Sequence, residues 1–276
     1  MFKTRWTLLT AIAMVFVLAL AGCGKGENKD TAKGGSKSTI TIAGSTSVQP
    51  LSDELAKAFN QKNPNVTINV QGGGSSQGIK AAADGIAQIG ASSRELKDTE
   101  KGKVKEIQIA LDGIGIAVNP KNGIQNLTLD QVKDIFSGKT TNWKDVGGKD
   151  APINVVTREA GSGTRGAFEE IVMHDAKISD KAVTQPSNGA VRTTVAGDEN
   201  SIGYLSLGYL SQEVKGVKID NVEPTAENIK AGTYKVKRPF LYLTKEDPQG
   251  DVKAYIDFVL SAEGQQIVSK DYISVK

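Results

Sequence analysis

One cysteine, Cys23, stands in 276 residues, so no disulfide can form within the chain. One histidine, His174, joins it, and the two fall short of the ligand set of an ordinary zinc site. His174 sits beside Asp175 near the end of a predicted helix, where a surface position is expected. Any serine nucleophile would have His174 as its only possible histidine base. Charge of one sign is scarce too. The net charge is +3, with lysines and carboxylates interspersed, so neither nucleic acid nor a membrane surface is implied as an electrostatic partner. Gly138-Lys139-Thr140 has the tail of a P-loop, but Lys133 stands where that motif needs its first glycine. The body of the chain has no repeat of fixed period and no long low-complexity run. An apolar fraction of 38% and a charged fraction of 24% describe a globular body.

The N-terminus reads as an address and an anchor. Lys3 and Arg5 form a basic n-region. Leu8 to Ala21 is apolar except for Thr10, short for a bilayer span and suited to a signal h-region. Leu20-Ala21-Gly22-Cys23 follows and resembles the lipobox of bacterial lipoproteins, in which cleavage precedes the cysteine and its thiol is lipidated. The expectation is a signal peptide over 1–22, a lipidated Cys23 with a tether of small and polar residues over 23–38, and attachment to the extracytoplasmic face of the cell membrane.

What is abundant is glycine and hydroxyl residues at the ends of predicted strands. Ile153, Val155 and Val156 predict a short strand, and Ala167, Phe168, Ile171 and Val172 recur at helical spacing. Between them run Arg158, Glu159, Ala160, Gly161, Ser162, Gly163 and Thr164. A strand, a glycine-hydroxyl loop and a helix N-terminus bring N–H and O–H donors to one place, and Arg158 can fork two donors onto an oxyanion. A helix cap on a flexible turn would leave the same sequence, so this stretch alone does not decide. The pattern recurs, however. Thr39–Ala43 predicts a strand before Gly44-Ser45-Thr46-Ser47, and a helix with Pro50 in its first turn follows. Val66–Val70 predicts a strand before Gln71-Gly72-Gly73-Gly74-Ser75-Ser76 and a helix over Ile79–Ala83. Ile86–Gly90 precedes Ala91-Ser92-Ser93-Arg94. Alternation of this kind predicts an α/β fold with a largely parallel sheet, and ligands of such sheets sit outside the carboxyl ends of the strands. Ile107–Asn119 is apolar and long enough to leave one lobe and enter another. Thr128 is placed to cap a helix over Leu127–Phe136, and Val191–Ala196, Arg238–Leu243 and Val252–Val259 predict a helix, a strand and a C-terminal helix.

Six segments resemble the phosphate-binding proteins of bacterial phosphate ABC transporters. They are AGSTSVQP (43–50), GGGSSQGIKA (72–81), IGASSREL (89–96), DIFSGKTTNWKDVGG (134–148), REAGSGTRGAFEE (158–170) and SNGAVRTTVAG (187–197). The resemblance implies a two-lobed periplasmic-binding-protein fold of type II, with the ligand cleft between lobes and two strands as the hinge. One lobe is expected over 39–119 plus 238–276 and the other over 120–237. Position by position it implies phosphate ligands at Ser45, Thr46, Ser47, Ser75, Ser93, Arg158, Ser162, Gly163 and Thr164. It implies a monomeric binder rather than an enzyme, without a cofactor, that hands inorganic phosphate to the permease subunits of an ABC transporter. Two positions depart from the best-known members, which carry aspartates where this chain has Ser93 and Ala160. Those carboxylates accept the phosphate proton and hold the arginine. Glu159 is shifted by one residue from the second. Other tetrahedral anions (sulfate, molybdate, tungstate), phosphoryl chemistry and a surface adhesion or sensing role are the alternatives.

Overall fold

Alternating apolar residues build the first strand, β1 (Ser38–Gly44), with Ile40 and Ile42 turned into the interior. The computed structural model describes residues 37–276, so the h-region, Cys23 and nearly all of the tether lie outside the described residues. After β1 come α1 (Gln49–Lys62), β2 (Val66–Gly72), α2 (Ser75–Asp84) and β3 (Ile89–Ser92). Proline in the first turn of α1 meets no missing partner there. β4 (Lys105–Val118) takes in all but the last residue of the apolar stretch 107–119.

β5 (Asn126–Leu127) leads into α3 (Leu129–Phe136), which opens on a full capping box. Thr128 Oγ1 accepts from the Gln131 N–H at 3.1 Å, and Gln131 Oε1 accepts from the Thr128 N–H at 2.8 Å. A 3₁₀ turn over Trp143–Val146 buries Trp143. β6 (Asn154–Arg158) runs to α4 (Gly163–Phe168), which continues as a π-helical turn over Glu169–Met173. β7 (Val183–Gln185), α5 (Asn188–Gly197) and the fully buried β8 (Ser201–Ser206) follow. Then come β9 (Lys215–Gly216), β10 (Lys218–Ile219), α6 (Ala226–Lys230), β11 (Lys237–Thr244), α7 (Gly250–Val259) and α8 (Ala262–Val268).

Nine strands form one sheet in the order β2-β1-β3-β11-β4-β8-β6-β7, with β9 also on β4; β5 and β10 pair separately. β2-β1-β3 is parallel and so is β8-β6-β7, but β3-β11, β11-β4 and β4-β8 are antiparallel. The expectation of a largely parallel sheet is therefore corrected at its centre. The chain leaves on β4 and returns on β11, and those two runs necessarily oppose each other. Two large cores lie on either side of them. Ile40, Leu55, Ile109, Phe240 and Tyr255 belong to one; Ile114, Phe136, Phe168, Tyr204 and Val236 belong to the other. β4 thus passes between cores over 110–114, and the chain does so again over 236–240, where β11 begins. The C-terminal tail meets the same junction, since Leu111 and Ile273 exchange backbone hydrogen bonds. The hydroxyl loops follow the carboxyl ends of β1, β2 and β3 in one half and of β6 and β7 in the other, so the fold turns them toward one another.

Candidate anion site

Each loop is fixed by its own backbone before its side chains matter. Gly73 and Gly74 N–H groups both bond the Gly44 carbonyl, at 2.8 and 2.9 Å, which locks the second loop onto the first. Gly74 has φ +93°, a conformation that glycine adopts readily, and it starts α2 at Ser75, four residues ahead of the helix expected at Ile79. In the other half, Ser162 caps α4 by accepting the Arg165 N–H at 3.2 Å, which leaves its own O–H free to donate. The N–H groups of Gly163 and Thr164 lie in the first turn of α4, ahead of its helical ladder. Ser162 is thus a helix cap whose hydroxyl hydrogen is left over from the capping bond.

The structure brings Ser45, Thr46, Ser47, Ser75, Ser93, Arg158, Ser162, Gly163 and Thr164 together, all buried. Ser47 Oγ lies 2.7 Å from Thr164 Oγ1, across the two halves. Ser93 receives the Ser45 hydroxyl at 2.8 Å, and the Ser93 N–H donates to Ser75 Oγ at 3.1 Å. Ser45 also accepts the Ser47 N–H at 3.2 Å, so its hydroxyl is occupied within its own half. A Cβ added to Gly163 would stand 2.1 Å from Ser75 Oγ, so this contact between halves requires glycine.

Arg158 is 1% exposed and closes the site. Its Nε and Nη2 donate to the two carboxylate oxygens of Glu159, at 3.0 and 2.9 Å. The register-shifted Glu159 therefore does hold the arginine; its side chain folds back onto its neighbour. Nη2 also reaches Thr46 Oγ1 at 3.3 Å, while Nη1 is buried with no partner among the described residues. An unpartnered buried guanidinium nitrogen is costly unless an acceptor meets it.

Three further residues complete the site. Asn188, at the start of α5, donates from Nδ2 to Thr46 Oγ1 (3.1 Å) and Ser47 Oγ (2.9 Å). Tyr209 donates its hydroxyl to the Thr46 carbonyl at 2.8 Å. Arg238 on β11 is register partner of Asp112 on β4 and donates to its Oδ2 from Nε (3.0 Å) and Nη2 (2.8 Å). From there Nη1 reaches Ser93 Oγ at 3.3 Å and Nη2 reaches Ser47 Oγ at 3.1 Å. Burial pushes the Asp112 carboxyl up and the Arg238 guanidinium down, each opposed by its partner, and the nearby Arg158 charge lowers Arg238 further. Two cations thus face one spot, each tied to one carboxylate. The capacity is for a compact, polyvalent anion.

A family model described as a PBP superfamily domain matches residues 29–263. The phosphate-binding protein PstS of Bacillus subtilis (strain 168) is 35% identical over 99% of this chain and 95% of its own length. PstS of Borreliella burgdorferi is 31% identical over 96% and 98%. A solved structure of a putative phosphate ABC transporter substrate-binding protein with bound phosphate, from Clostridium perfringens, is 48% identical with a TM-score of 0.84, covering 86% of this chain and all of that one. An ABC-type phosphate transport receptor from Vibrio cholerae is 36% identical with a TM-score of 0.71 over the same shares. The chain belongs to the phosphate-binding protein PstS family. The fold is accordingly the two-lobed one of the PBP superfamily, with the site at the meeting of its halves.

Within this PstS-family chain, two short spacings imitate other chemistries. Gly74-Ser75-Ser76-Gln77-Gly78 has the spacing of a hydrolase nucleophile elbow, and Gly161-Ser162-Gly163-Thr164-Arg165-Gly166 that of a dinucleotide loop. Ser76 Oγ accepts from Arg94 Nη2 at 3.2 Å, and His174 is exposed at the end of the π-helical turn, so no histidine serves that serine. The glycine loop packs Gly163 against Ser75 and Ser93 instead of opening onto a nucleotide. Among the described residues no three His, Cys, Asp or Glu side chains group where they could hold a metal ion. Asn188 lies in the segment SNGAVRTTVAG and Arg238 in a predicted strand, but neither position signals its role. Asp112 carried no signal, because its partner is 126 positions away and is set by strand register.

Proposed function

We propose that this chain captures inorganic phosphate outside the cell membrane and delivers it to the permease subunits of an ABC transporter. The carrying observation is the buried, unpartnered Nη1 of Arg158 amid hydroxyls from both halves. Thr46, Ser47, Ser75, Ser93, Ser162 and Thr164 supply hydroxyl donors, with Gly163 and Thr164 N–H beside them, and Ser45 supports Ser93. The relatives' phosphate-binding names favour phosphate among tetrahedral anions. We read one lobe as 39–119 plus 238–276 and the other as 120–237, acting as a monomer. The chain binds without turnover, since no nucleophile is paired with a base in the site. Calorimetry of the detergent-purified chain should show saturable one-to-one phosphate binding, and a chromogenic phosphate ester should not be hydrolysed. Absence of phosphate binding, or turnover of the ester, would refute this reading. The anchor belongs to the same proposal: Cys23→Ser should abolish partitioning into the detergent phase, and unchanged partitioning would remove it.

A further inference from the structure

We propose that the C-terminal tail is a third crossing between the halves, in which Ile273 is a peg that limits how far they part and thereby raises the affinity for phosphate. The inference goes beyond phosphate capture and uses phosphate as its probe. Tyr272 belongs to the core that holds Ile40 and Phe240, with its ring 5.2 Å from that of Phe240. Ile273, the next residue, belongs to the core that holds Ile114 and Tyr204. Both are buried. β4 changes cores over 110–114 and the chain into β11 over 236–240, but the tail does so in a single step. Consecutive Cα atoms stand about 3.8 Å apart, so this crossing has no slack.

The tail is fixed on each side of the peg. Leu111 and Ile273 exchange N–H···O bonds of 2.9 and 3.0 Å, which sets Ile273 beside β4 where that strand leaves one core for the other. Just before the peg, the Tyr272 N–H donates to the Val268 carbonyl at the end of α8, at 3.0 Å. Just after it, Gln265 Oε1 accepts the Ser274 hydroxyl at 2.8 Å and the Val275 N–H at 2.9 Å. Gln265 is itself buried, and its Nε2 donates to the Ile109 and Val259 carbonyls at 3.1 and 3.0 Å. Residues 272, 274 and 275 are thus bound to the half that holds Ile40, and Ile273 enters the other core from between them. A Cβ on Gly208, after β8, would stand 2.2 Å from the Tyr272 hydroxyl, so the Tyr272 ring also abuts the other half. Parting the halves turns one core against the other. The peg must then hold the rotation back, or leave its core and expose an isoleucine, which is unfavourable. Wide opening is resisted in both cases. Apparent affinity rises with the fraction of molecules in the binding-competent form.

The test uses the full chain in detergent and reads two quantities. Calorimetry gives the phosphate affinity. Hydrogen exchange without phosphate reports opening through the Ser76 N–H, which bonds the Gly161 carbonyl across the halves at 3.1 Å and meets water when they part. Ile273→Ala should weaken phosphate binding by about threefold to tenfold and speed Ser76 exchange by a similar factor. Ile273→Val keeps most of the peg and should stay near wild type in both. Ser274→Ala frees the tail from Gln265 without touching either core, and should move both readouts the same way by less. A residue that only fills a core would lower the urea midpoint of Ile273→Ala and leave affinity and Ser76 exchange unchanged. That result, or tighter phosphate binding, overturns the proposal. Should Ile273→Ala fail to fold, Ser274→Ala decides, and no change in either of its readouts overturns the proposal. Wild type that binds no phosphate would overturn the phosphate reading, and Ser76 exchange would still decide the role of the tail.

Discussion

The three nitrogens of the Arg158 guanidinium have different duties. Nε and Nη2 face Glu159, and Nη2 also touches Thr46 Oγ1 and the Pro186 carbonyl at 3.3 Å each. The edge expected to fork onto the anion is therefore already forked onto Glu159, and Nη1 is the free donor. Arg158→Ala removes that donor and leaves Glu159 facing the site without its cation. Phosphate affinity should fall by about 2–5 kcal/mol, as for truncating one member of a buried charge pair. Arg158→Lys should recover only part of it, because one ammonium cannot hold Glu159 and the ligand in separate directions. Glu159→Gln keeps an acceptor but loses the charge, and should weaken binding less than either. Calorimetry of the three variants checks the order. Arg158→Lys binding as tightly as wild type would show that positive charge alone suffices.

At the scale of elements, the loop after β3 is held to α2 by a second guanidinium. Arg94 Nη1 and Nη2 donate to Glu100 Oε2 and Oε1 at 2.7 and 2.8 Å, and Nη2 also reaches Ser76 Oγ. The Arg94 hydrogen bonds hold the Glu100 carboxyl below its ordinary value of 4.5. A lowered carboxyl contributes stability in full above the ordinary value and loses it as pH falls through the folded-state value, below 4.5. Glu100→Gln should therefore lose about 1.5–3 kcal/mol at neutral pH, the range for hydrogen bonds to charged groups. The gap to wild type should close on acidification below that value. Urea unfolding at several pH values measures it, and a gap independent of pH would mean the pair contributes only through packing. Such elements differ in how far the sequence reveals them. Ile40 and Ile42, the proline of α1 and the Thr128–Gln131 box are local signals, read within a few residues. The antiparallel centre and the Arg238–Asp112 pair depend on which strands become neighbours, and no local period encodes that. The π-helical turn after α4 is similarly invisible, since Ile171 and Val172 satisfy a helical period either way.

On the scale of the whole molecule, the site and the passage between cores share residues. Asp112 and Arg238 face each other on the two strands that pass between the cores, and Arg238 also touches the Ser47 and Ser93 loops. Hydrogen bonds cross between the halves at several points. They include Ser47 with Thr164, the Ser76 N–H on the Gly161 carbonyl at 3.1 Å, Asn188 on Thr46 and Ser47, and Tyr209 on the Thr46 carbonyl. An anion that meets donors from both halves gains its full set of contacts only when they are together. It must therefore shift the balance toward the closed form by its difference in affinity for the two. Small-angle scattering should show a smaller radius of gyration on adding phosphate. Tyr209→Phe removes one neutral cross-half hydrogen bond, to the carbonyl of Thr46 and not to its donating hydroxyl, worth about 0.5–1.5 kcal/mol. The variant should be more open without phosphate and equally compact when saturated. Its affinity should fall by about twofold to tenfold, because binding must now close a more open population. A radius of gyration that phosphate leaves unchanged in both wild type and Tyr209→Phe would mean that the halves do not move. The affinity would then come from a rigid site, and the two connecting strands would be braces instead of hinges.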